Sequence, residues 1–156
     1  MRYFPTALEV WIANLYKRLG MLTPYELSEE TIAQHFQIYI YHKPLPSTSY
    51  ESGKFKSITL DQRLPVEVQR EAFYHELCHI LRHAGWQMGM MPQAFKELQE
   101  WDAKRFTSYA AIPIHMLKDI DLKQDNIISY LSETFKVTPG LCEKRLERIY
   151  QQAKVG

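Results

Sequence analysis

His75-Glu76-Leu77-Cys78-His79 is the stretch that decides the fold, and it has the pattern H-E-x-x-H. On a helix, residues four positions apart lie on the same face with their Cβ atoms about 5–6 Å apart. His75 and His79 can therefore bind one metal ion together, and Glu76 beside them can act as a general base. The pattern predicts a metal-binding helix with hydrolytic chemistry.

The residues around this stretch favour a helix. Pro65 suits a first helical turn, because the N–H that proline lacks would have no partner there in any case. Neither Pro nor Gly occurs from Val66 to His83, and Gly85 follows as a C-terminal stop signal. The sequence therefore predicts one helix from Pro65 to His83, with the two histidines of the pattern on one face.

Composition limits the function classes. The 156 residues are 46% hydrophobic and 24% charged, which is typical of a soluble globular domain. A net charge of +1 gives no electrostatic argument for nucleic acid or an anionic membrane as a partner. The two cysteines, Cys78 and Cys142, indicate no disulfide framework. Because the sequence shows neither a signal-peptide core nor an apolar run of about 18 residues, we expect a cytoplasmic protein.

We expect a single domain over residues 1–156, organised in three parts. The first part, residues 1–35, contains N-terminal helices. The second part, residues 36–113, contains a sheet and the metal-binding helices. The third part, residues 114–156, is helical. No internal repeat, low-complexity tract or inter-domain linker separates them.

Hydrophobic periodicity predicts an α+β fold, with a small antiparallel sheet packed on the metal-binding helix. If the last predicted strand, Phe55–Leu60, lies at an edge of the sheet, it can accept an extended peptide as an added strand. The other predicted strands are Phe36–Tyr41 and Ser49–Glu51. The first predicted helix runs from a capping box at Thr6 to Gly20, and the second covers Pro24–His35 with a break near Ser28. Further helices are predicted over Gln93–Tyr109, Ile114–Leu117 and Asn126–Phe135, and from Thr138-Pro139 onward.

A catalytic zinc site needs a third protein ligand and one open position. His83 is too distant for that role, because it lies eight residues beyond the first histidine of the pattern, about 12 Å along a straight helix. The next predicted helix offers Glu97, Glu100 and Asp102. Glu97 and Glu100 can share a face, and a small residue three positions after Glu100 favours that carboxylate. Spacing alone leaves all three as alternatives.

Together with downstream residues, the pattern resembles the ImmA/IrrE-like metallopeptidases. The resemblance rests on His75–His79, on Glu100-Trp101-Asp102-Ala103-Lys104-Arg105-Phe106 and on Pro113, and it extends from about Ile38 to Ile149. Within that family, the sequence is most similar to the ImmA anti-repressor proteases of integrative elements and phages. Two departures from the family pattern, Thr107 and Ala110-Ala111, concern local packing and not the ligands.

The resemblance implies a zincin-like fold with Glu100 as the third ligand beside His75 and His79, and with Glu76 as the general base. It implies a helix-turn-helix repressor of a mobile genetic element as the protein substrate. One zinc ion is the expected cofactor, and manganese is a second candidate because His and carboxylate ligands suit several metals. We expect no nucleic acid partner and no membrane.

The sequence offers alternatives for the residue that stabilises the oxyanion and for the function of the protein. Tyr109 or His115 can supply a second donor to the developing oxyanion. The alternative function is that of a non-proteolytic metal-binding regulatory protein of the same family, against which the retained base Glu76 argues. The hypothesis that the C-terminal helices bind nucleic acid has less support still, because a solvated helix face explains their slight excess of basic residues equally well.

Overall fold

The predicted capping box is formed, and it begins helix α1 (Ala7–Arg18). The structure, a computed structural model, describes residues 3–85, 95 and 99–155. The Thr6 hydroxyl accepts a hydrogen bond from the Glu9 N–H, and the Glu9 carboxylate accepts one from the Thr6 N–H, both at 3.1 Å. After the helix, Gly20 has a φ of +81°, which glycine adopts without a Cβ clash. Both predicted ends of this helix are confirmed.

The second predicted helix is broken near Ser28, as expected. A 3-10 turn (Pro24–Glu26) comes first, and α2 (Glu29–His35) follows, with the Ser28 hydroxyl accepting a hydrogen bond from the Thr31 N–H at 3.2 Å. The predicted start of the first strand, at Phe36, is wrong. Phe36 is fully buried and ends α2, and the backbone then turns through a left-handed residue before the strand begins.

Three strands form one sheet with the spatial order β1-β3-β2: β1 (Tyr39–Lys43), β2 (Thr48–Ser52) and β3 (Phe55–Asp61). β2 and β3 pair antiparallel, whereas β1 and β3 pair in parallel. The prediction of antiparallel pairing is therefore wrong for β1 with β3 and confirmed for β2 with β3. After β1, the chain forms β2 at the opposite edge and then returns through the middle as β3. As a result, β3 runs in the same direction as β1.

β3 is the central strand, so its backbone is paired on both sides. The prediction that Phe55–Leu60 accepts an added peptide at a sheet edge is therefore wrong, and in the described part of the chain the edges belong to β1 and β2. The central position also changes the burial of the strand. Ile58 and Leu60 are completely buried, and the polar Lys56 is buried as well.

Helix α3 (Val66–Ile80) contains the H-E-x-x-H stretch and packs against β3 and β2. Pro65 occupies its N-cap position. After Ile80 the backbone widens into a π-helical turn (Leu81–Gly85). Single π-turns often occur at functional sites. The predicted helix is confirmed, with the difference that its last turn is not regular α-helix.

The helix predicted over Gln93–Tyr109 is not continuous. Its first part lies largely outside the described residues, a 3-10 turn covers Gln99–Trp101, and α4 (Ala103–Ala111) begins only after Asp102. The Asp102 carboxylate accepts hydrogen bonds from the backbone N–H groups of Lys104 and Arg105, at 2.8 and 3.3 Å. Such a side chain caps a helix N-terminus, which explains the break.

The C-terminal elements agree with the predicted ones. A 3-10 turn (Ile114–Met116) precedes α5 (Ile127–Phe135) and α6 (Pro139–Val155). α5 and α6 pack together, and Leu131 and Phe135 are completely buried. Lys136 ends α5 in the left-handed conformation, with a φ of 57°.

The described residues form a mixed α+β structure with three strands and six α-helices. They belong to two compact units, one of residues Met1–Leu27 and Ser108–Gly156, the other of residues Ser28–Thr107. The sheet and α3 lie in the second unit. The single domain over residues 1–156 stays a prediction. No helix within the described ranges has the length and apolar content needed to cross a lipid bilayer.

Candidate metal centre

The burial pattern of α3 places the two histidines on its exposed face. The buried residues recur at helical spacing and form one stripe, while His75 and His79 are exposed and Glu76 between them is partly exposed. The helix packs on the sheet, and the two histidines face solvent. The stripe consists of Phe73, Tyr74, Leu77, Cys78 and Ile80.

The two imidazoles converge. His75 Nε2 and His79 Nε2 lie 3.2 Å apart, with ring centroids separated by 4.8 Å and ring planes inclined at 76°. One helical turn brings the two side chains together, as the i, i+4 spacing requires. Two nitrogen atoms at this distance can share a proton, or both can direct their lone pairs at one cation.

This separation fits a zinc ion. Zinc–nitrogen bonds are about 2.0–2.1 Å long, so that two nitrogens on a tetrahedral ion lie about 3.3 Å apart. The observed 3.2 Å between the two Nε2 atoms is close to that value. The donor set therefore fits a tetrahedral metal at two of its positions without any rearrangement of α3.

The third predicted ligand, Glu100, lies on the 3-10 turn Gln99–Trp101 and is partly exposed. In the ranges 3–85, 95 and 99–155, no group of three or more His, Cys, Asp or Glu side chains is arranged to hold a metal ion. Those ranges include His83, which is exposed. Glu97 lies outside the described residues. The structure thus brings together two of the predicted ligands, and the third stays a prediction.

Asp102, one of the three alternatives for the third ligand, has a structural role. Its carboxylate caps α4 through the two backbone hydrogen bonds described above. The sequence signal for this role was present, because an Asp directly before a helix-forming run is a strong N-cap candidate.

Cys78 and Arg82 make contacts that the sequence analysis did not anticipate. The Cys78 thiol donates to the Trp101 carbonyl oxygen at 3.5 Å, and Arg82 Nη1 lies at 3.5 Å from the same oxygen. Burial raises the pKa of the Cys78 thiol to about 12, so that it keeps its proton at neutral pH. The i, i+4 spacing of the two residues was the available signal, since it places them on one face of a helix.

The two candidates for an oxyanion donor lie in the other compact unit. Tyr109 is buried, and the Arg145 guanidinium lies over its ring at 5.0 Å from the centroid. His115 Nε2 lies 2.9 Å from the Met21 carbonyl oxygen, which can only accept, so Nε2 donates there. Burial lowers the pKa of the His115 imidazole, against a smaller opposing effect of that hydrogen bond.

Comparison with known proteins agrees with this chemistry. The family model of Peptidase M78, the IrrE N-terminal-like domain, matches residues 25–147. The uncharacterized protein YqaB of Bacillus subtilis strain 168 is 35% identical over 154 residues, which cover 97% of this chain and 89% of the relative. The phage-like element PBSX protein XkdA of the same strain is 34% identical over 151 residues, 96% of this chain and 75% of the relative. No solved structure matches the chain.

The family match includes α3 with its H-E-x-x-H stretch, and the 3-10 turn that carries Glu100. Peptidases of this family are generally metal-dependent and act on protein substrates. The chain therefore belongs to the Peptidase M78 family, the metallopeptidase family of the IrrE N-terminal-like domain.

Proposed function

We propose that the protein is a zinc-dependent endopeptidase that cleaves a helix-turn-helix repressor in the cytoplasm. The observation that carries the proposal is the convergence of His75 Nε2 and His79 Nε2 to 3.2 Å on the exposed face of α3, beside Glu76. That geometry occurs in a chain of a metallopeptidase family. It is the arrangement that a hydrolytic metal site on one helix requires.

In this proposal, His75, His79 and Glu100 hold the ion, and one position stays open for water and substrate. Glu100 fits better than Asp102, because the Asp102 carboxylate already caps α4. The bound metal would supply a polarised substrate carbonyl and a more acidic water. Zinc is the expected ion and manganese the second candidate, since this ligand set suits both.

Glu76 acts as the general base in this site. It takes the proton of the attacking water and returns it to the amine that leaves when the peptide bond breaks. Glu76 directly follows His75 on α3 and is partly exposed. Tyr109 and His115 are the two candidates for a second oxyanion donor, and the His115 Nε2–H already donates to the Met21 carbonyl oxygen.

Two observations support a repressor as the substrate. One relative of this chain is a protein of a phage-like element. The residues around the metal-binding stretch resemble anti-repressor proteases, as described above. Cleavage within the repressor would relieve repression of the element.

The test is incubation of the purified full-length protein with the repressor encoded beside it, with and without a metal chelator. Fragments are identified by mass. We expect a single cleavage by the wild-type protein with zinc, and none with chelator. Glu76→Gln should keep its zinc and lose activity by about 10²–10⁴-fold. Glu67→Gln, on the first turn of the same helix, is the matched control and should cleave normally.

Two outcomes would contradict the proposal. Cleavage that survives in the chelator or in Glu76→Gln would show that neither the metal nor this base carries the reaction. Zinc binding by the wild-type protein without any cleavage would instead support the alternative, a non-proteolytic metal-binding regulatory protein of the same family.

A further inference from the structure

The metal-binding helix is attached to the turn that carries Glu100. Cys78 and Arg82 are four residues apart on one face, and each has a polar atom 3.5 Å from the Trp101 carbonyl oxygen. Cys78 directly precedes His79, and Trp101 directly follows Glu100. These contacts therefore connect the backbone beside one proposed ligand with the helix that carries the other two.

The same turn is held from its other side. The Trp101 side chain is completely buried and stacks on Phe106, with ring centroids 5.4 Å apart and planes inclined at 18°. Phe106 lies on α4, whose first turn Asp102 caps. The carbonyl of Trp101 thus faces α3 while its indole lies in the core. Glu100 directly precedes this residue, which is contacted from both sides.

We propose that Cys78 and Arg82 are positioning residues for the metal site, because they hold the Trp101 carbonyl, and with it the turn that carries Glu100, against α3. The inference rests on the proposed function, because it needs Glu100 as a ligand. Metal ligands keep their affinity only when neighbouring groups fix their orientation, and loss of such support typically weakens metal binding 10–100-fold. Here the support acts on the ligand's backbone and not on its carboxylate.

The test measures the zinc dissociation constant of the full-length protein by competition with a coloured chelator. We expect Cys78→Ala combined with Arg82→Ala to weaken zinc binding about 10–100-fold. Cys78→Ser and Arg82→Lys each keep a donor at the same place and should retain most of the affinity. The matched control is His83→Ala, an exposed residue next to Arg82, which should bind zinc like the wild-type protein.

A double-mutant cycle with Glu100→Ala separates positioning from general stability. If Cys78 and Arg82 act through Glu100, their replacement should have little further effect on zinc affinity once Glu100 is absent. A merely structural role would lower the melting temperature of the metal-free protein and weaken zinc binding equally in both backgrounds. The single variant Arg82→Ala, which changes an exposed side chain, keeps the cycle measurable if Cys78→Ala folds poorly.

The two hypotheses fail in different ways. If Glu100→Ala weakens zinc binding but the Cys78 and Arg82 variants do not, only the positioning role is wrong. If Glu100→Ala leaves the zinc affinity unchanged, Glu100 is not a ligand, and the positioning role is refuted together with it. Cobalt in place of zinc gives a second readout, because its visible spectrum reports the loss of a ligand without any assay of activity.

Discussion

Replacement of Arg145 should destabilise the protein more than replacement of Arg148, which lies on the same helix, α6. Arg145 on α6 and Glu9 on α1 are both completely buried as side chains, and Arg145 Nη2 lies 2.7 Å from Glu9 Oε2. The contact is an ion pair between two buried charged groups. Arg145 Nε donates to the Ile112 carbonyl at 3.0 Å, the guanidinium lies over the Tyr109 ring, and the Tyr3 hydroxyl donates to Glu9.

The size of the effect follows from this burial. Removing one partner of a buried ion pair leaves the other charge uncompensated, which costs about 3–5 kcal/mol. Glu9→Gln should lie at the upper end, because a guanidinium cannot lose its charge. Arg145→Met should lie at the lower end, because Glu9 keeps hydrogen bonds from Thr6 and Tyr3. Removing both charges in Glu9→Gln/Arg145→Met should cost less than the sum of the two single changes.

The free energy of unfolding would be measured by urea denaturation followed by circular dichroism. The matched control is Arg148→Met, one turn along α6 at a partly exposed position, which should change stability by about 0.5 kcal/mol or less. The reasoning fails if Arg145→Met is as mild as Arg148→Met. It also fails if the double variant costs as much as the two single changes added together, because the two charges would then not be coupled.

Three further predictions concern single residues. Asp102→Ala should lower the unfolding free energy by about 1 kcal/mol through loss of the cap on α4 while the zinc affinity stays unchanged; a weakened zinc affinity would make Asp102 a ligand. Lys136→Gly should raise the unfolding free energy by about 0.5–1 kcal/mol in urea titrations, since its φ of 57° favours glycine, and a loss of stability would contradict this. Because the folded state lowers the pKa of His115, the unfolded state binds more protons and stability falls as the pH drops below about 6.5. His115→Gln should reduce this fall between pH 7 and pH 5, and an equal fall in the variant would refute it.

Local signals in the sequence predicted the helices well. The capping box of Thr6 and Glu9 and the break near Ser28 were both predicted, because such signals depend on residues that are neighbours in the chain. The interruption at Asp102 was missed although its signal is also local. The competing signal, a long run of helix-forming residues around it, favoured one continuous helix.

Strand pairing could not be predicted in the same way. The alternating pattern identified β3, but alternation does not say which strands are its neighbours or in which direction they pair. The placement of β3 between β1 and β2 depends on contacts between segments that are distant in the chain. This is why the parallel pairing, the burial of Lys56 and the absence of a sheet edge on β3 all differed from the expectation.

In the candidate site, too, features set by neighbouring residues were predicted and features set by distant residues were not. The spacing of His75 and His79 was sufficient to predict that their imidazoles meet, because one helical turn fixes the distance. The contacts of Cys78 and Arg82 with the Trp101 carbonyl needed the fold, since no pattern relates residues about twenty positions apart on two different elements.

The sequence by itself therefore determined that His75 and His79 share one face of α3, the capping box of the first helix and the likeness to a peptidase family. Each of these depends on residues within one or two helical turns, where covalent geometry sets the distances. Tertiary structure alone decided the order of the strands, the burial of the Glu9–Arg145 pair and the attachment of the Glu100 turn to α3. Those features arise from packing between distant segments, and packing is selected by the burial of the whole core and not by any single stretch.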